Sequence, residues 1–263
     1  MNNSAGKRNA KYPIQTLKKA LEVVEVLHKS GGAMGISDID EHVGIGKSTV
    51  HRVLDTLMTY NYVEKAENST KYRLSWKFFE VGQSIPAQRN LLNLDTDALR
   101  TICDKYDESV NVGIHSEDSM IIISRLAPKS NMAANVPIGS KLPLHASSMG
   151  KIAICEYSEA ELRNIFPCDA LTQYTPNTVK TFDELVAQLA EIRQQGYSID
   201  DQELYLGITC VAMPIKDYDM KTVAAVSVSG TSSRLNPSKI GALLEDLKAI
   251  CQDMSAFMGH GKP

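Results

Sequence analysis

Polar side chains set inside apolar runs are the residues of this chain best placed for chemistry. In Thr222-Val-Ala-Ala-Val-Ser-Val-Ser-Gly230, strand alternation puts Ser227 and Ser229 on one face and Ala224, Val226 and Val228 on the other. Hydroxyls in such a strand need partners, which a polar ligand supplies, or water where that face is open to solvent. Asp200 and Asp201 stand where the run around Tyr197 gives way to a loop, and Gly207-Ile208-Thr209-Cys210 follows. Asp200 suits acceptance from a ligand hydroxyl, assistance to a metal, or simple closure of a turn. Leu142-Pro-Leu-His-Ala-Ser-Ser-Met-Gly-Lys151 leads from a turn into a helix with Ser147 as its N-cap. The amides of Ser148 and Met149 then face a small anion such as a carboxylate or, in ordinary capping, Ser147 or water. Cys210 as a nucleophile would need a base; His115 and His145 exist, but no motif joins them to it.

A second kind of chemistry sits near the N-terminus. Val50, Val53, Leu54 and Leu57 form an apolar stripe that leaves Lys47, Ser48, Thr49, His51, Arg52 and Asp55 off the buried face. Small and basic side chains with free amides at a helix start are what phosphates and base edges meet in a DNA groove. Arg52 is placed for a bidentate guanine contact, worth ~1–3 kcal/mol of discrimination. Lys65, Lys71 and Arg73 are suited to anchor phosphates, as are Lys7, Arg8 and Lys11 in a basic N-terminal arm. Taken alone, residues 47–58 are also an ordinary amphipathic helix, so the neighbouring elements decide.

Those neighbours fall in a definite order. Leu17, Ala20, Leu21, Val24 and Leu27 share a helical face that ends at Ser30-Gly31-Gly32. Ile36, Ile39 and Val43 mark a short helix opened by Ser37 and Asp38, and Gly44-Ile45-Gly46 then turns the chain. After the Lys47 helix, Tyr62-Val63-Glu64-Lys65 and Lys71-Tyr72-Arg73-Leu74 alternate around a polar tip, as a hairpin does. Helix, short helix, turn, helix, hairpin is the winged helix-turn-helix order. A linker helix is expected from about Ser75, with Phe78, Gly82 and Ile85 on one side and Pro86 as a kink or stop.

Farther on, Val110, Val112 and Ile114 alternate, and Met120-Ile-Ile-Ile123 reads as a buried strand. Strands are expected near 197–200, 208–215 and 222–229. Ser158 with Glu161 and Thr181 with Glu184 fit capping boxes, and Pro237 opens a closing helix whose stripe runs from Ile240 to Met254.

Composition sets the outer bounds. At 263 residues with 43% hydrophobic content, two domains are expected. Five scattered cysteines suggest neither a disulfide framework nor a metal knuckle. The N-terminus lacks an apolar signal core and no apolar run reaches membrane length, so a soluble, cytoplasmic protein is expected, with no membrane partner, cofactor or metal. Residues 1–85 carry 12 Lys+Arg against 9 Asp+Glu, and the remainder 16 against 22. A basic head on an acidic body hints at nucleic acid at one end.

Together, Lys47-Ser-Thr-Val-His-Arg-Val-Leu54, Leu142 to Lys151, Gly196-Tyr-Ser-Ile-Asp-Asp201, Gly207-Ile-Thr-Cys-Val-Ala-Met-Pro214 and Ala225-Val-Ser-Val-Ser-Gly230 resemble the IclR family of bacterial transcriptional regulators. The similarity runs from about residue 12 to the C-terminus. It implies an α+β chain: a winged helix-turn-helix domain with its basic arm (1–74), a linker helix (75–94) and a GAF-like mixed α/β effector-binding domain (95–263). It also implies dimers or tetramers on palindromic double-stranded operators, and no reaction. By position, the family's effector pocket maps onto Ser148, Met149, Asp200, Ile208, Cys210, Ser227 and Ser229, where it would take a small organic, sugar or aromatic acid. Three residues depart from the pattern. Thr209 replaces a commonly basic residue, Ser75 stands where Gly often follows the wing, and Met149 is bulky for a pocket wall. A regulator sensing metal or redox state through Cys210, and an enzyme built on the GAF-like domain, are the alternatives.

Overall fold

Two glycines at positive φ, Gly44 (66°) and Gly46 (86°), reverse the chain within three residues and set up the helix-turn-helix. The computed structural model describes residues 11–88, 96–129 and 136–258, which fall in two compact units, within Lys7–Leu92 and within Asn93–Pro263. In the first, α1 (Gln15–Ser30), α2 (Ile36–Val43) and α3 (Lys47–Thr59) precede a hairpin of β1 (Val63–Lys65) and β2 (Tyr72–Leu74). Asp40 holds the turn from inside: its carbonyl accepts from the Gly44 amide and its carboxylate from the Gly46 amide, both at 2.7 Å. Val23, Leu27, Ile39, Val50, Val53, Leu54, Val63 and Tyr72 close the core between these elements.

Two expectations need correction here. Leu17 and Leu21 lie outside the buried face of α1, at 55% and 58% exposure, because that face centres on Val23 and Leu27. Steps of three and four residues from Ile14 to Leu17 to Leu21 instead trace a second apolar face along the same helix. The helix that follows the wing, α4 (Lys77–Gln88), runs through Pro86 without stopping there. It starts two residues after Ser75, whose hydroxyl accepts from the Lys77 amide at 3.1 Å and donates to the Asn61 carbonyl. Ser75 thus ties the wing to the helix start.

The second unit is built on a six-stranded antiparallel sheet. Its strands are β3 (Ser109–Ser116), β4 (Ser119–Leu126), β5 (Lys141–Pro143), β6 (Ser198–Asp201), β7 (Ile208–Lys216) and β8 (Thr222–Thr231), in the order β5-β4-β3-β8-β7-β6. One face carries α5 (Thr96–Tyr106) and α9 (Pro237–Phe257); the other carries α6 (Ser148–Ile154), with α8 (Phe182–Gln195) packed against it. Central strands β8 and β3 are therefore covered on both sides. Helix α7 (Glu159–Ile165) contributes Leu162 to the core on the α6 side. The capping boxes at Ser158 and Thr181 form as expected, and Gly196 ends α8 in the left-handed conformation. Helix α5 is not among the elements expected above, although Leu99, Ile102 and Cys103 stand at helical spacing and form its buried side. No helix among the described residues is long and apolar enough to cross a membrane.

Candidate functional site

Strand register decides which polar residues can meet. Asp200 stands opposite Cys210, Cys210 opposite Ser229, and Ser227 opposite both Ala212 and Asn111. One face of four neighbouring strands therefore carries a polar strip, and α6 covers it in place of solvent. Ser227 and Ser229 are 1% and 5% exposed, which removes the water-facing alternative for β8.

Between this strip and the start of α6 lies a cavity of about 440 Å³, open solvent at its mouth included. Ser148, Met149, Asp200, Ile208, Cys210, Ser227 and Ser229, drawn from four separate segments, all line it. Leu204, Tyr205 and Val136 add apolar wall, and Asn111 adds an amide. Sequence reasoning misses Asn111, although a polar residue between Val110 and Val112 is the available signal.

Each wall is held by its own chemistry. At the start of α6, the Ser147 hydroxyl accepts from the Gly150 amide at 3.1 Å and donates to the Pro143 carbonyl at 2.6 Å. Gly150 is required by packing, since a β-carbon there would lie 2.6 Å from the Leu144 backbone and the Pro143 oxygen. The Met149 side chain runs under the sheet, its sulfur only 3.1 Å from the position a β-carbon on Gly113 would take. The methionine fills a notch that a glycine leaves open.

Asp200 serves two ends. Its Oδ1 accepts from the amides of Glu203 and Leu204 at 2.7 and 3.3 Å, which closes the 201–204 turn and fulfils the turn-forming alternative. Burial lifts its pKa to about 7, with the Glu203 carboxylate pushing the same way and the two amides and Lys151 opposing. Lys151, 1% exposed, donates to Glu203 Oε1 at 2.5 Å and to the Ile199 carbonyl at 3.0 Å. It cross-links α6 to the loop that follows Asp200.

Cys210 is no reactive thiolate, because burial raises its thiol to about 12. The histidines available in sequence lie elsewhere. His145 bonds the Thr172 carbonyl at 2.8 Å between the rings of Phe166 and Tyr174, and His115 bonds the Tyr157 hydroxyl at 3.1 Å. Among the described residues, no three His, Cys, Asp or Glu side chains gather as a metal site. Thr209 is buried and hydrogen-bonded to Ser232 at 3.0 Å, so its hydroxyl is taken up by the sheet.

In the first unit, Lys47, Ser48, His51 and Arg52 are exposed along α3, and Thr49 is half-buried. Lys65 and Lys71 are exposed at the hairpin. Arg73 is engaged, its Nε 2.8 Å from Glu64 Oε1 across the two strands, so a phosphate would compete with that carboxylate. Lys7 and Arg8 lie outside the described residues; Lys11 places its Nζ 5.7 Å from the Tyr12 ring centre.

Known proteins share both units. Residues 83–256 match the family described as "Bacterial transcriptional regulator IclR C-terminal", and residues 16–67 match the "IclR helix-turn-helix domain". The transcriptional repressor AllR of Escherichia coli K12 is 31% identical over 245 residues, 93% of this chain and 90% of AllR. The crystal structure of the Thermotoga maritima IclR is similar with a TM-score of 0.76 at 26% identity, covering 94% of this chain and 99% of that one. An IclR homologue from Microbacterium hydrocarbonoxydans complexed with 4-hydroxybenzoate shares the fold at a TM-score of 0.81 and 20% identity, covering 92% and 98%. With both halves matched in order, a helix-turn-helix in one unit and a lined cavity in the other, the chain belongs to the IclR family of DNA-binding transcriptional regulators.

Proposed function

We propose that this regulator binds a palindromic operator as a homodimer or homotetramer and responds to a small organic or sugar acid held in the cavity of its second unit. The domains in this reading are 1–74 for DNA, 75–94 as linker and 95–263 for the effector. The observation that carries it is the meeting of seven residues from four segments around one cavity. The chemistry of the lining suits an acid: hydroxyls at Ser227 and Ser229, and helix-start amides at Ser148 and Met149. The complex of the Microbacterium homologue with 4-hydroxybenzoate, an aromatic acid, supports an acid as the class. Self-association is supported by the exposed apolar residues Ile14, Leu17 and Leu21 along α1 and Trp76 and Phe79 at α4.

A thermal-shift panel of small carboxylates and sugar acids tests the ligand half. A ligand at a hundredfold over its Kd stabilises the folded state by about 2.7 kcal/mol. The shift is expected to vanish in Ser227→Ala/Ser229→Ala, and shifts that persist unchanged would mean the pocket is misplaced. For DNA, Arg52→Ala is expected to weaken operator binding far more than binding to random duplex. Equal losses on the two duplexes would remove Arg52 from base reading.

A further inference from the structure

Asn111 is 3% exposed and, among the described residues lining the cavity, is the one that brings a side-chain amide. Its Nδ2 donates to Ser229 Oγ at 3.3 Å. With Nδ2 turned to Ser229, Oδ1 faces away from that hydroxyl. Oδ1 is buried and accepts no hydrogen bond among the described residues. Buried amide oxygens are nearly always paired, because leaving water without a new partner is costly. Val110 and Val112 face the other side of the sheet, so Asn111 sits on the face of β3 that meets the polar strip of Ser227 and Ser229. An unmet acceptor in a cavity wall is what a donor on a bound molecule would satisfy.

Asn111 stands opposite Ser227 in the sheet, and Asp200, three strands away on the same face, already spends Oδ1 on the Glu203 and Leu204 amides. A ligand with only acceptors, such as a bare carboxylate or keto acid, leaves the Asn111 oxygen unmet.

We propose that Asn111 is a specificity-determining residue of this cavity, and that the ligand is a small acid which also carries a hydroxyl or amide donor for Asn111 Oδ1. The proposal rests on the reading of the cavity as the effector site, and it goes further by naming a residue and a required group on the ligand.

Two isosteric pairs of probes test it on the intact chain: oxamate against pyruvate, and succinamate against levulinate. Within each pair an NH2 replaces a CH3 and the carboxylate is kept. The amide member is expected to bind at least about tenfold more tightly by calorimetry. In Asn111→Leu, which keeps the branched shape and removes both polar atoms, that preference is expected to collapse to within about twofold. Equal binding of both members by the unaltered chain overturns the proposal, as does a preference that survives in Asn111→Leu. The ligand-free protein gives a second measurement. If Asn111 is kept for a ligand, the variant melts within a few degrees of the unaltered chain; a drop like that of a core truncation makes Asn111 structural and overturns the proposal. Should no probe bind, the small-acid reading fails, and the ligand-free comparison alone decides on Asn111.

Discussion

At Asp200 a structural duty and the proposed binding duty fall on one carboxyl. Its pKa is raised, chiefly by burial, from 3.8 to about 7, so between those values the folded chain holds a proton that the unfolded chain has released. Folding is therefore favoured at low pH, and this contribution is lost as pH rises through about 7. The ionised carboxylate then costs on the order of 4 kcal/mol. Asn at this position keeps an oxygen for the Glu203 and Leu204 amides and carries no charge. Asp200→Asn is expected to melt several degrees above the unaltered chain at about pH 8, and the gap should close toward about pH 5. Ligand affinity follows the same sign, because an acid entering beside Asp200 meets less repulsion once Asp200 is protonated. Calorimetry between about pH 8 and pH 6 should show affinity rising as pH falls, at most tenfold per pH unit for one linked proton. Glu203 and Lys151 act on the same carboxyl and are coupled to it, whereas Cys210, at about 12, stays a thiol throughout. A pH slope that persists in Asp200→Asn would place the linked proton elsewhere.

Among the elements, α6 positions one wall of the cavity with only seven residues. So short a helix has little dipole of its own. Its start is fixed instead by Ser147, by Gly150 against the Leu144 backbone and by Lys151 reaching Glu203. Gly150→Ala would have to push main-chain atoms of Pro143 and Leu144 aside, and main chain has no rotamer to yield. The expected cost is ~1–3 kcal/mol of stability together with loss of acid binding, read by melting with and without ligand. A variant that melts and binds like the unaltered chain would show that α6 can shift freely. The caps at Ser147, Ser158 and Thr181 and the Gly44 to Gly46 turn are legible in sequence because each acts within a few residues. Ser227 and Ser229 are legible through alternation. What joins them to Asp200 and Ile208 is strand order, a nonlocal fact that only the family resemblance supplied. Lys151 and Glu203 stay hidden for the same reason, and so does Asn111, since alternation tells which face of its strand it shares but not what that face meets.

At the scale of the whole molecule, α1 poses a question that its own unit does not answer. Ala20, Val23 and Leu27 serve the core, while Ile14, Leu17 and Leu21 form a second apolar face left in solvent. Periodicity alone merges two such faces into one stripe, which is why Leu17 and Leu21 read as core in the sequence. A second copy of the chain is the partner that a palindromic operator would call for, since two heads on one duplex need a fixed relation. Leu17→Glu/Leu21→Glu separates this role from folding, because both side chains are already exposed and the monomer core is untouched. The double variant is expected to keep its melting temperature while sedimenting with a larger share of monomer. Its affinity for a single half-site should be unchanged. On the full palindrome it should lose much of the ~10²–10⁴-fold gain that linking two heads confers. Equal losses on half-site and palindrome would mean that the charges disturb DNA contact directly, and an unchanged palindrome affinity would mean that the heads are joined through other surfaces.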